Sequence, residues 1–117
     1  MKIAKIKELL GAELVHGMDM LDQEVESACG SDLMSDVLAF VNGKTLLLTG
    51  LTNHHVIRTA EMLDVSAIVF VRGKKPADDV LKMAIEKNIA VLTTDLTLYV
   101  ACGILYQNGL SGNVRGG

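Results

Sequence analysis

Hydrophobic positions in this chain recur first at helical spacing and then in short unbroken runs, and the alternation of the two predicts most of the fold. Over residues 2–10, Ile3, Ile6, Leu9 and Leu10 share one helical face, and Gly11 stops the helix. Residues 13–16 and 23–28 read as two short strands separated by a turn containing Gly17. Ser31 and Asp32 are good N-cap residues, and Leu33, Met34, Val37, Leu38 and Val41 follow at helical spacing as far as an Asn42-Gly43 stop. Thr45-Leu46-Leu47-Leu48 is then an apolar run of strand length.

From there the pattern is regular. A helix over 53–64 turns Val56, Ile57, Ala60 and Leu63 inward, and a strand follows over 67–71. Pro76 stands in the first turn of a helix whose inward face is Val80, Leu81, Ala84 and Ile85. A strand over 90–93 leads to a last helix, capped by Asp95, reaching Asn108 and stopped by Gly109. Strands apolar on both faces need helices on both sides, which implies parallel pairing and right-handed crossovers. The expected fold is α/β: a three-layer, mostly parallel sheet flanked by helices. It forms one domain over residues 1–109, with the Gly-rich residues 110–117 as a disordered tail.

The last helix breaks the amphipathic rule. Tyr99, Val100, Cys102, Ile104 and Tyr106 join Leu98, Ala101 and Leu105 to leave almost no polar face. A terminal helix of a small domain cannot bury every side of itself. One account is partial cover from the N-terminal helix; the other places Leu98, Val100, Ala101 and Leu105 at an interface, either of a homodimer or with a partner protein.

Composition narrows the function classes. Half of the 117 residues are hydrophobic, mostly aliphatic, and Phe40, Phe70, Tyr99 and Tyr106 are the aromatics. The formal charge is −3, and only Arg72, Lys74 and Lys75 form a local basic cluster. A nucleic-acid binder needs a concentrated basic face and stacking aromatics, so neither duplex nor single strand is an expected partner. No apolar run approaches the roughly 20 residues that span a bilayer. Cys29 and Cys102 lie far apart with no C-x-x-C spacing, so a cytoplasmic protein with reduced thiols is expected.

In an open parallel sheet, ligands bind at the carboxyl ends of the strands. That rule selects residues 29–32, 49–54, 72–75 and 93–95. Within them Ser31, Asp32, Thr49, Gly50, Thr52, Asn53, Arg72, Gly73, Lys74 and Thr94 are the candidate ligands of a small anion or nucleotide. Arg72 is the best of them for phosphate or carboxylate. Ser31, Asp32, Thr52, Asn53 and Asp95 also suit plain helix caps, and Gly50 and Gly73 suit tight turns.

Other chemistry is poorly served. Adjacent His54 and His55 point about 100° apart on a helix and cannot chelate one metal together, and His16 is distant. Cys29 precedes a predicted helix N-terminus, where a thiol pKa falls, but it has no identifiable general base. Gly43-Lys44-Thr45 lacks the earlier glycine of a phosphate-binding loop (position 38 is Leu) and precedes a strand, the reverse of the required order. No metal, cofactor or catalysis is expected.

Residues 49–53 (Thr-Gly-Leu-Thr-Asn), 59–61 (Thr-Ala-Glu), 67–76 (Ala-Ile-Val-Phe-Val-Arg-Gly-Lys-Lys-Pro) and 88–94 (Asn-Ile-Ala-Val-Leu-Thr-Thr) resemble the DRTGG domain. With the opening residues 9–14, they are also similar to the N-terminal domain of HPr kinase/phosphorylase, and the likeness spans residues 1–108. Thr49-Gly50-Leu51-Thr52 stands in place of the signature's Gly-Asp-Arg-Thr-like turn, and Arg72-Gly73-Lys74 in place of its Thr-Gly-Gly turn. Such domains occur alone, beside CBS domains in regulated pyrophosphatases, and in some phosphotransacetylases. The resemblance implies a flavodoxin-like layered fold, frequent dimerisation and a regulatory setting, and the candidate ligands at the carboxyl edge add the expectation of a ligand-sensing module. It implies no kinase activity, because the phosphate-binding loop belongs to a different domain.

Overall fold

The structure, a computed structural model, describes residues 1–41 and 44–112. The Asn42-Gly43 stop and residues 113–117 of the expected tail lie outside them. The elements in chain order are α1 (Ile3–Leu10), β1 (Glu13–His16), β2 (Ser27–Gly30), α2 (Met34–Phe40), β3 (Thr45–Thr49) and α3 (His54–Met62). They continue with β4 (Ala67–Phe70), α4 (Asp78–Glu86), β5 (Ala90–Thr93) and α5 (Leu98–Gln107).

The sheet runs β1-β5-β4-β3-β2. β2 to β5 are parallel, and β1 pairs antiparallel with β5, setting Glu13 opposite Thr93. Four parallel strands laid down in order with right-handed crossovers put their connecting helices on one face. Leu47, Ile68, Phe70 and Val91 accordingly pack against Val37 of α2, Val56, Ile57 and Ala60 of α3, and Val80 and Ala84 of α4. The alternate residues Leu46, Leu48, Val69 and Leu92 pack against Ile3, Ile6 and Leu10 of α1 and Ala101 and Leu105 of α5. Period-two alternation along buried strands thus feeds two cores, one on each side of the sheet.

Several boundaries differ from the sequence expectation. The strand expected over 23–28 is formed by Ser27–Gly30. Residues 23–25 are taken up earlier by the N-terminus, where the Ile3 N–H donates to the Gln23 carbonyl and the Val25 N–H to that of Met1. Asp95 does not cap the last helix; Thr97 does, its hydroxyl accepting the Val100 N–H. Pro76 precedes α4 instead of sitting in its first turn, and Ile85 faces solvent. Leu33 and Leu38 are also exposed, leaving Val37 and Val41 to anchor α2.

The expected tail begins too early. Leu110 is buried, the Ala28 N–H donates to the Ser111 carbonyl at 2.9 Å, and Gly112 bridges Ala28. Residues 110–112 therefore cover the outer edge of β2, an edge that would otherwise stand open to pairing. Among the described residues no helix is long and apolar enough to cross a membrane.

Candidate functional site

Two niches lie along the carboxyl edge of the sheet, separated by the loop that follows β4. At its start Arg72 adopts a left-handed backbone (φ +58°), and Gly73 continues it (φ +67°). A non-glycine residue there costs about 1–2 kcal/mol. The loop is held by the Arg72 N–H on the Leu96 carbonyl (2.8 Å) and the Gly73 N–H on that of Thr94 (2.9 Å). Its first two amides are therefore occupied, and its side chains are what it offers.

The first niche joins the ends of β2, β3 and β4. Asp32, just beyond β2, accepts the Gly50 N–H (2.7 Å) and the Thr49 hydroxyl (3.0 Å) on Oδ1. Its Oδ2 lies 3.8 Å from Nη2 of Arg72. The Arg72 guanidinium lies against the Cα of Gly50, where any Cβ would collide with it. Both charged side chains are about half exposed. Glycine at 50 thus leaves room for the Arg72 guanidinium in this position, and a side chain there would displace it.

The second niche lies between β5, β1 and the β4 loop. Chain paths diverge here: β4 leads to α4 on one face and β5 to α5 on the other, which opens a crevice between their carboxyl ends. It is a mainly polar cleft of about 330 Å³ lined by Glu13, Gly73, Lys75, Thr93, Thr94 and Asp95, with Gly11 at its rim.

The ten ligand candidates therefore divide. Asp32, Thr49, Gly50 and Arg72 come together; Gly73 and Thr94 line the neighbouring cleft. Thr94 is a structural tie, its hydroxyl donating to the Leu10 carbonyl and accepting the Leu96 N–H. Asn53 is the α3 cap, accepting the His55 N–H. Ser31 only closes its own turn on the Leu33 N–H, so neither Ser31 nor Asp32 caps α2. Thr52 and Lys74 make no side-chain contact with either cluster among the described hydrogen bonds and ion pairs. Glu13 escaped sequence reasoning because it stands at the start of an antiparallel strand, where the carboxyl-end rule does not look.

The remaining expectations also shift. Ala101 and Leu105 are fully buried in the chain's own core and Leu98 packs on it, so of the four interface candidates only Val100 faces outward. Cys29 lies within β2, away from any helix N-terminus. Burial pushes its thiol pKa up, with the Cys102 thiol and the Asp36 carboxylate adding to the rise, as for a structural buried residue and not an activated thiol. Burial raises Cys102 as well, and the two thiols pack on opposite faces of the sheet. His54 pairs with Asp79 of α4 at 3.1 Å. No group of three metal-ligating side chains is assembled among the described residues.

The family model of the DRTGG domain matches residues 5–107. No curated protein matches the chain. Among solved structures, the chain is similar to the CBS and DRTGG domains of the regulatory region of a Clostridium perfringens pyrophosphatase, complexed with its activator diadenosine tetraphosphate. The TM-score is 0.68 at 17% identity, over 91% of this chain and 46% of that one, so this chain spans less than half of its neighbour.

Proposed function

The chain belongs to the DRTGG domain family, and from that premise we propose a non-catalytic regulatory module that senses a nucleotide or small anion at the carboxyl edge of β2, β3 and β4. The observation that carries this reading is Arg72. A backbone in a costly conformation lays its guanidinium across Gly50, half exposed, with Asp32 as its single loose partner among the described residues. An exposed pair of that length is worth about 0–1 kcal/mol. A phosphate or carboxylate that offers the planar guanidinium two oxygens competes well with it.

Asp32 does not lose its place when Arg72 leaves, because Gly50 and Thr49 hold its other oxygen. The niche thus has two states, with Arg72 on Asp32 or on ligand. A pyrophosphatase regulatory region that contains a DRTGG domain beside CBS domains is complexed with a nucleotide activator, which makes a nucleotide the first ligand to try. The raised thiol pKa of Cys29 speaks against a cysteine nucleophile. Free thiols at Cys29 and Cys102 fit a cytoplasmic setting.

The experiment is a thermal-shift series on the whole chain with diadenosine tetraphosphate, ATP, acetyl phosphate and inorganic phosphate. A ligand at about 100 times its Kd adds about 2.7 kcal/mol, several degrees for a domain of this size. At least one compound is expected to raise Tm, and Arg72→Ala to abolish the rise. No shift with any of them, or an equal shift in Arg72→Ala, overturns the reading.

A second reading rests on a different surface. Tyr99 is 89% and Tyr106 72% exposed on the outer side of α5, beside a shallow apolar depression of about 600 Å³. Exposed aromatics grouped in this way suit a protein contact, with a second copy of the chain as the first choice and another protein as the alternative.

A further inference from the structure

We propose that the cleft between β5, β1 and the β4 loop binds a free α-amino acid, independently of the Arg72 niche. Thr93 is part of its lining. The residue is only 5% exposed, and its hydroxyl has no hydrogen-bond partner among the described residues. Buried polar groups in folded proteins are almost always paired. No fully enclosed side-chain oxygen is left unpaired among those residues, so the Thr93 hydroxyl must reach open space, and the open space at Thr93 is the cleft.

The walls carry charge of both signs. Glu13 stands directly opposite Thr93 across the β1–β5 pairing. Lys75 reaches it at 3.6 Å, and both side chains are about two-thirds exposed, so the pair is weak and free to exchange partners. Asp95 supplies a second carboxylate, and Gly73 makes room for it: a Cβ there would lie 3.1 Å from Asp95 Oδ1. Gly73 thus serves the cleft twice, by its left-handed backbone and by its lack of a side chain.

This set of groups selects its ligand by charge and size. A phosphate would meet two carboxylates and one ammonium, and a simple cation would meet Lys75. A molecule with an ammonium and a carboxylate on one carbon satisfies both walls. Its ammonium donates to Glu13 and Asp95, while its carboxylate accepts from Lys75 and from the Thr93 hydroxyl. A volume of about 330 Å³ is at the low end for ligand sites, suited to such a molecule and too small to enclose a nucleotide.

The test is a two-dimensional amide NMR titration of the whole chain with each of the twenty L-amino acids at up to about 10 mM. At least one is expected to move the Gly11, Gly73, Thr94 and Asp95 amides in a saturable way. Its N-acetyl and carboxamide derivatives, each lacking one of the two charges, are expected to leave them in place. Thr93→Val keeps the shape of the side chain and is expected to weaken binding roughly tenfold through loss of one charge-assisted hydrogen bond. Arg72→Ala is expected to leave this titration unchanged, which separates the cleft from the niche beside it. The proposal fails if no amino acid moves those amides, if the singly charged derivatives bind as well, or if Thr93→Val binds like the parent chain.

Discussion

At the scale of single residues, a side chain's type restricts its partners, but the fold assigns them. Asp32 and Asn53 look alike in sequence, each a short polar residue ahead of a helix. Asn53 caps α3, whereas Asp32 is drawn to the end of the neighbouring strand by the Gly50 N–H. Cys29 shows the same dependence on surroundings, and its titration carries a prediction. Its folded pKa, like that of Cys102, is raised by burial from a reference value of 9.0. The unfolded chain therefore loses these protons first as pH rises. The stability tied to keeping both thiols neutral is full below the unfolded pKa and is lost as pH rises through the folded values. In urea unfolding between about pH 7 and pH 11, the parent chain is expected to lose more stability above about pH 9 than a Cys29→Ala, Cys102→Ala double variant does. Parallel curves would show that neither thiol is held neutral by the fold.

At the scale of elements, legibility followed the contrast between faces. In α1 and α3, polar residues mark the outer side, and periodicity selects most of the buried residues; Leu9 and Leu63 stay partly exposed, and the buried Thr59 was missed because its side chain is polar. β5 was also plain, three apolar residues followed by a threonine, all four buried. In α5 there was no such contrast, so hydrophobicity gave the helix without its rotation. Ala101 and Leu105, one helical turn apart, face α1 and the sheet, while Tyr99, Val100 and Tyr106 face outward. Truncating the two sides should therefore cost very different amounts. Leu105→Ala is expected to destabilise by about 2–5 kcal/mol. Val100→Ala, from a position 43% exposed, is expected to stay within about 1 kcal/mol. Urea midpoints of the two variants at dilute concentration measure the difference, and equal losses would mean that α5 is rotated from this description.

At the scale of the whole molecule, parallel order could be read from alternating helices and doubly apolar strands, but neighbours distant in sequence could not. Nothing local in Glu13 says that it will face Thr93, eighty residues further on, and nothing in Leu110 distinguishes a core residue from the first of a tail. For this reason the parallel-edge loops 72–75 and 93–95 could be selected in advance, whereas the wall that Glu13 and Gly11 add to the β5–β1 cleft could not. Assembly belongs to this scale too. The outer side of α5 keeps Tyr99, Val100 and Tyr106 in solvent although the inner side is already packed. Large apolar groups clustered on one helix favour a second copy of the same helix, because a two-fold axis lets the patch cover itself. Light scattering across roughly 5 to 200 µM is expected to give a dimer that dissociates on dilution, and Val100→Asp is expected to give a monomer at every concentration. Because Val100 lies outside the core, the variant should keep the parent's far-ultraviolet circular dichroism, so a monomer with native spectrum isolates the interface from folding. A parent chain that is monomeric throughout removes the homodimer, and the patch then belongs to another protein.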